Sequence, residues 1–180
     1  VRIIGGKYRG RRIDLPTGFR IRPTTDFARE SLFNILDNII DFEETFVLDL
    51  FAGTGSIGYE FSSRGAAGVH LVEQNRKNVS GIKKIIGNIG FENIKVVHID
   101  VRTYLKICKA KYDVVFADPP YNLSWLEEIP ALVTGSDILK PGGLLIIEHP
   151  AKVNFRNHEL FFDHRNYGGV NFSFFRTKQA

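Results

Sequence analysis

From Phe46 onward, short apolar runs alternate with segments of helical periodicity, and this alternation restricts the fold more than any other feature of the chain. "FVLDLF", "GVHLVE", "NIKVVHID", "YDVVFADP" and "GGLLIIEHP" read as five buried strands. Between them, "SIGYEFSSRG", "QNRKNVSGIKKIIGNIG", "RTYLKICKA" and part of "SWLEEIPALVTGSDILK" read as helices. The last of these is interrupted at Pro130, and Gly65 and Gly90 close two of the others. Strands joined through helices run parallel, so the chain predicts an α/β domain with a mostly parallel sheet covered on both faces. "HELFFDHRNY" and "VNFSFFRTK" add two strands, and the short "NYGG" link makes them an antiparallel hairpin.

Ahead of this region lies a different pattern. "RIIGGKYRGRRIDL" predicts two short strands, Arg2–Ile4 and Arg11–Leu15, around a glycine-containing turn. "RPTTDFARESLFNILDNII" predicts a helix capped by Thr25 or Asp26, with Ala28, Leu32, Ile35, Leu36 and Ile39 as its apolar stripe. Residues 1–40 therefore form an extension to a domain spanning 41–180. Residues 1–29 hold eight basic and two acidic groups, so this segment is +6 in a chain whose net charge is +4. A basic head on a near-neutral body is an electrostatic footprint for a polyanion, carried here by Arg2, Lys7, Arg9, Arg11, Arg12, Arg20 and Arg22.

Other classes are disfavoured. No apolar run approaches the roughly 18 residues of a membrane span, and "VRIIGGKYRGRR" lacks the apolar stretch of a secretory signal. One cysteine, Cys108, excludes an internal disulfide framework and suits a reducing cytoplasm. His70, His98, His149, His158 and His164 show no metal-ligand spacing, so no metal is expected.

"DLFAGTGSIG" links the first strand of the alternating region to its helix, and Gly53, Gly55 and Gly58 satisfy G-x-G-x-x-G. Such a loop lets a ligand approach the backbone at the carboxyl edge of the sheet. Glu73 closes the next strand 24 residues after Asp49, where a carboxylate can accept both hydroxyls of a ribose. Asp100 closes the third strand, where it can meet an adenine. A nicotinamide dinucleotide and S-adenosylmethionine both fit this spacing. Asp49 separates them. A pyrophosphate is repelled by an acid at the strand tip, whereas an ammonium and a sulfonium are attracted. The pattern favours the methyl donor.

"DPPY", Asp118 to Tyr121, ends the fourth strand on the same edge. An exocyclic amine on a nucleobase is planar and weakly nucleophilic, because its lone pair is delocalised into the ring. The Asp118 carboxylate and the Pro119 carbonyl can accept its two hydrogens and free the lone pair. Pro119 and Pro120 fix φ and stiffen the acceptors, and Tyr121 offers a flat face to the base. Guanine and adenine remain equally open on these four residues.

"RIIGGKYRGR", "RPTTDFARESLFNIL", "DLFAGTGSIGYEFSSRGA", "DPPY" and "NYGG", in this order, resemble the RsmD-type guanine-N2 methyltransferases of 16S ribosomal RNA. The resemblance covers nearly the whole chain. It implies a class I S-adenosylmethionine-dependent fold: a Rossmann-like, seven-stranded sheet with one antiparallel strand, plus an N-terminal extension. Carried over residue by residue, Asp49, Phe51, Gly53 and Gly55 would surround the methionyl end of the cofactor. Glu73 would hold its ribose and Asp100 its adenine. Arg22, Pro23 and Thr24 match the block lying near the cofactor and the substrate entrance. Asp118, Pro119, Pro120 and Tyr121 would hold the target base. The implied partner is 16S ribosomal RNA, within the small subunit or its assembly intermediate, met by a monomer in the cytoplasm.

Two rivals stand beside this reading. A DNA or RNA adenine-N6 methyltransferase shares the glycine loop and "DPPY", but the small size leaves little room for a DNA-reading domain. A non-catalytic RNA-binding module is the other, with intact Asp49, Glu73, Asp118 and Tyr121 against it. Glu148 and His149 end the fifth strand on the same edge and are second-rank site candidates, and Trp125 flanks the base pocket or packs a helix.

Overall fold

The computed structural model describes residues 1–15 and 25–179. Arg20, Arg22, Pro23 and Thr24 lie outside the described residues. The element order is α1 (Asp26–Leu36), β1 (Phe46–Asp49), α2 (Ser56–Ser63), β2 (Gly68–Glu73), α3 (Arg76–Ile89), β3 (Ile94–His98), α4 (Val101–Ile107), β4 (Tyr112–Ala117), α5 (Ile129–Gly135), β5 (Leu139–His149), β6 (Phe161–Tyr167) and β7 (Val170–Arg176). The seven strands form one sheet in the order β3-β2-β1-β4-β5-β7-β6. The first five run parallel, and β7 pairs antiparallel with both β5 and β6. This is the sheet that the resemblance implied.

Period-2 alternation sorts each strand between two cores. Val47, Val69, Leu71, Val114, Phe116, Leu144 and Ile146 pack with α1, α2 and α3 through residues such as Leu32, Phe61 and Ile82. Leu48, Val72, Val115, Leu145 and Ile147 face the other way, against Tyr104 and Leu105 of α4 and Val133 of α5. The helices start and stop on local chemistry. Thr25 accepts the Ala28 N–H at 3.1 Å, Asn75 accepts the Lys77 N–H at 2.9 Å, and Gly90 closes α3 at φ 82°. Among the described residues, no helix is long and apolar enough to cross a membrane.

Three expectations change in detail. Helix α1 ends at Leu36, so Ile39 falls beyond it and is 40% exposed, while Arg29 and Phe33 are buried in its inner face. Arg29 is only 1% exposed because its Nη2 donates to the Arg2 carbonyl and to Asp26 beneath the N-terminal segment. Pro130 opens α5 rather than interrupting a helix, since a first-turn N–H has no intrahelical partner to lose. Asp100 lies past β3 and caps α4, accepting the Thr103 N–H at 3.0 Å.

The expected N-terminal strands reduce to one antiparallel bridge, Arg2 with Arg12. A hairpin persists through Ile3 N–H to the Arg11 carbonyl at 3.0 Å and Gly10 N–H to the Ile3 carbonyl at 2.8 Å. The Glu60 carboxylate, 1% exposed on α2, accepts the N–H groups of Ile4 and Gly5 at 2.8 Å each. Arg64 neutralises it at 2.9 Å and also grips both oxygens of Asp37 at 2.7 Å. Ile3 and Ile13 enter the same core as the sheet. The hairpin is thus docked at both ends.

Candidate active site

Four carboxylates converge at the carboxyl edge of the sheet. Asp49 ends β1 and Glu73 ends β2, Asp118 follows β4, and Glu148 sits near the end of β5. Register makes them neighbours: Asp49 pairs with Phe116, and Ala117 with Ile147. Side-chain alternation does the rest, because each carboxylate lies an even number of residues from a strand residue on the α1–α3 face: Val47, Leu71, Phe116 or Ile146. They line a cavity of about 720 Å³, a size suited to a nucleoside-sized ligand.

The glycine loop bounds one side. Glu73 Oε2 accepts the Gly53 N–H at 2.9 Å and Oε1 accepts the Asn75 N–H at 2.7 Å. Each oxygen keeps a lone pair for a further donor. Asp49 accepts the Phe51 N–H at 3.2 Å. Burial, with the Glu73 charge adding to it, pushes the Asp49 carboxyl up to about 7. Gly53 lines the cavity, but Gly55 does not: it sits behind the loop as the cap of α2, at φ 83°. A Cβ there would lie 2.5 Å from the Tyr59 hydroxyl, so glycine is needed for space as well as conformation. Tyr59 stacks on Phe91 at 5.5 Å, and its buried hydroxyl has no hydrogen-bond partner among the described residues.

The other side is the "DPPY" turn, closed by the Leu123 N–H donating to the Pro120 carbonyl at 2.9 Å. Burial holds the Asp118 carboxyl well above the usual carboxylate range, with the Glu148 and Asp49 charges adding to the effect. The Tyr121 hydroxyl donates to Glu148 Oε1 at 3.2 Å, which orients the ring at the pocket wall. Phe51 and Trp125 lie 6.0 Å apart, and the Arg102 guanidinium lies 4.5 Å over the Trp125 ring. All three line the cavity, so Trp125 is a wall residue and not helix packing alone.

Of the residues expected here, Asp49, Phe51, Gly53, Glu73, Asp100 and Asp118 through Tyr121 line one cavity. Glu148 joins them. His149 does not: the next residue of an extended strand faces the opposite core, where its Nε2 meets Ser173 Oγ at 2.8 Å and its ring meets Phe155. Sequence reasoning missed Asn78, Arg102 and Val170, and treated Thr25 as a cap only, although all four line the cavity. Their signal is positional, since each lies within three residues of a carboxyl-edge loop or a helix start. Arg2, Lys7, Arg9, Arg11 and Arg12 are exposed on the hairpin. Arg11 also reaches the Asn88 and Ile89 carbonyls at the end of α3, at 3.4 Å each. At its other end, Arg2 lies 3.9 Å from Asp26, beside the cavity residue Thr25. A pocket with five carboxylates, and Arg102 as its one cation among the described residues, suits a cationic ligand and opposes a pyrophosphate.

The family model described as "Conserved hypothetical protein 95" matches residues 1–176. The chain is 36% identical over 148 residues to the ribosomal RNA small subunit methyltransferase D of Escherichia coli K12, covering 82% of this chain and 74% of that protein. The structure matches a putative methyltransferase from Escherichia coli with a TM-score of 0.86 at 30% identity, over 100% of this chain and 99% of that one. The Thermus thermophilus 16S rRNA N2 G1207 methyltransferase, solved with AdoMet and guanosine, shares the fold at 20% identity, with a TM-score of 0.73 over 99% of this chain and 49% of that one. The fold is that of the class I S-adenosylmethionine-dependent methyltransferases.

Proposed function

The chain belongs to the RsmD-type family of ribosomal RNA small subunit methyltransferases, and from that premise we propose that it methylates the N2 amine of a guanosine in 16S ribosomal RNA. The supporting observation is the convergence of Asp49, Glu73, Asp118 and Glu148 on one cavity beside the "DPPY" turn.

The residues present fit S-adenosylmethionine. The carboxylates favour its two positive charges, and the open lone pairs of Glu73 face where ribose hydroxyls would donate. Asp49, Phe51 and Gly53 would hold the methionyl end, Glu73 the ribose and Asp100 the adenine, with Gly55 shaping the loop from behind. When bound, the cofactor supplies a methyl group on positively charged sulfur.

Asp118 and the Pro119 carbonyl accept the two amine hydrogens of the target base, which turns the nitrogen lone pair out of the ring plane. Tyr121, anchored on Glu148, stacks on the base and fixes its distance from the methyl. That nitrogen would receive the methyl, leaving a neutral sulfur, and would then lose one proton. Asp118, whose proton affinity is already raised by burial, is placed to receive it. Asp118 and Asp49 would balance the positive charge at the reacting centre.

The basic hairpin and the family's substrate together support RNA as the partner, either in the small subunit or in its assembly intermediate. We place the protein in the cytoplasm, where a monomer carries every residue the site uses.

The test is incubation with labelled S-adenosylmethionine and unmethylated small subunits, followed by nucleoside identification. N2-methylguanosine is the expected product. N6-methyladenosine would replace this reading with the adenine one, and no cofactor binding would leave only an RNA-binding module.

A further inference from the structure

Phe27 is the most exposed large apolar side chain among the described residues, at 63%. It lies in the first turn of α1, two residues after the cavity residue Thr25. Its ring meets Tyr167 edge-on, with centroids 6.1 Å apart and planes at 84°. Tyr167 ends β6 and is anchored behind by Phe172 at 6.3 Å. Three residues later, Val170 lines the cavity from the start of β7. Two elements distant in sequence thus each bring one cavity residue and one aromatic ring to the same rim.

The turn between β6 and β7 leaves this rim open. Gly168 and Gly169 have φ 57° and 87°, a two-residue hairpin with both central residues left-handed. A Cβ at Gly169 would meet nothing within 4 Å, and one at Gly168 would only just touch the Phe27 ring. Asn171 braces the turn, accepting from Asn166 at 3.0 Å and pairing with His164 at 3.2 Å. The rings therefore stand on a fixed base, and the two turn glycines put no side chain over them. Exposed Arg2, 3.9 Å from Asp26, and its cross-strand partner Arg12 add positive charge beside the ledge.

A lone exposed phenylalanine is ordinary. A rigid pair of rings at the rim of a base-sized cavity, flanked by arginines, has the composition of a stacking platform for single-stranded nucleic acid. We propose that Phe27, supported edge-on by Tyr167, stacks an unpaired ribosomal RNA base adjacent to the target nucleotide, and so holds the strand open while the target enters the cavity. This rests on the methyltransferase reading above and adds to it a contact outside the reacting pocket.

The experiment measures KM for small subunits carrying an unmethylated 16S transcript, and cofactor Kd, in the wild type, Phe27→Ala, Phe27→Trp and Phe27→Leu. Phe27→Ala is expected to raise KM about tenfold, the loss of one base stack, with cofactor Kd unchanged. Phe27→Trp should restore KM and Phe27→Leu should not. An unchanged KM in Phe27→Ala, or full restoration by leucine, would overturn the stack, the second outcome pointing to a protein contact instead. A parallel assay follows quenching of 2-aminopurine in a ten-nucleotide single-stranded RNA, which should be weaker with Phe27→Ala than with wild type. It decides the ledge even if the wild type transfers no methyl, an outcome that would sink the activity reading alone.

Discussion

Glu73 at the tip of β2 accepts the N–H of Gly53 in the loop leaving β1, at 2.9 Å. One carboxylate therefore shapes the glycine loop and keeps acceptor capacity for the ligand. Glu73→Gln must turn an NH₂ toward either Gly53 or Asn75, leaving two donors face to face. Cofactor affinity should fall about ten- to a hundredfold by calorimetry, the cost of one mispaired buried group. Affinity within twofold of wild type would remove Glu73 from the ribose site.

Asp49 makes cofactor binding depend on pH. Its carboxyl is pushed up to about 7 in the ligand-free protein, because burial and the Glu73 charge oppose its ionised form. A cationic ligand prefers the ionised form, so binding releases a proton below that pH. Affinity should rise about tenfold from pH 6 to pH 8, with proton release visible as a buffer-dependent heat. The raised value also means that Asp49 costs the ligand-free fold nothing at acid pH. Its penalty grows as pH climbs from about 3.8 through 7. Asp49→Asn should accordingly raise the Tm of the ligand-free protein at pH 8, and leave it little changed at pH 4, while binding of the cofactor is lost.

Asp118→Ala removes an acceptor of the target amine and leaves the glycine loop untouched. Turnover should fall at least about a hundredfold, with cofactor affinity within a few-fold of wild type. Near-normal turnover would show that the base is held and deprotonated by other groups.

Replacing Arg9, Arg11 and Arg12 by glutamine should weaken RNA binding and flatten its dependence on salt. Three lost phosphate contacts on single-stranded RNA correspond to a change of about 2 in the log–log slope. An unchanged slope would assign the basic hairpin to docking on α2 and α3 only.

Much of this site was legible because its chemistry sits at strand ends. The β2 boundaries, Gly68–Glu73, follow from a single apolar run with a glycine before it and an acid at its tip. From there, alternation alone places Glu73 and Asp49 on one face. The same rule separates Glu148 from His149, but applying it needs the register of β5 against β4, which is a long-range property. Pro130 was misread because an isolated proline breaks a helix or begins one equally well, and the choice depends on the 3₁₀ turn Leu126–Glu128 before it. Arg29 was invisible for a further reason: burying a guanidinium makes sense only once the Arg2 carbonyl, 27 residues away, is known to lie over it. The Phe27–Tyr167 contact joins α1 to the last hairpin, and no local pattern announces it.

Strand β7 lies between β5 and β6, although β6 precedes it in the chain. β6 has no other neighbour in the sheet, so it can join only when β7 does. The glycine-loop side, by contrast, is built from β1, β2 and β3, consecutive strands joined by single helices. Loop-closure entropy favours that half forming first. During folding, the chain should therefore be able to grip its methyl donor before Val170 and the Phe27–Tyr167 ledge exist to admit an RNA. In pulsed hydrogen exchange, amides of β1 and β2 should become protected ahead of those of β6 and β7.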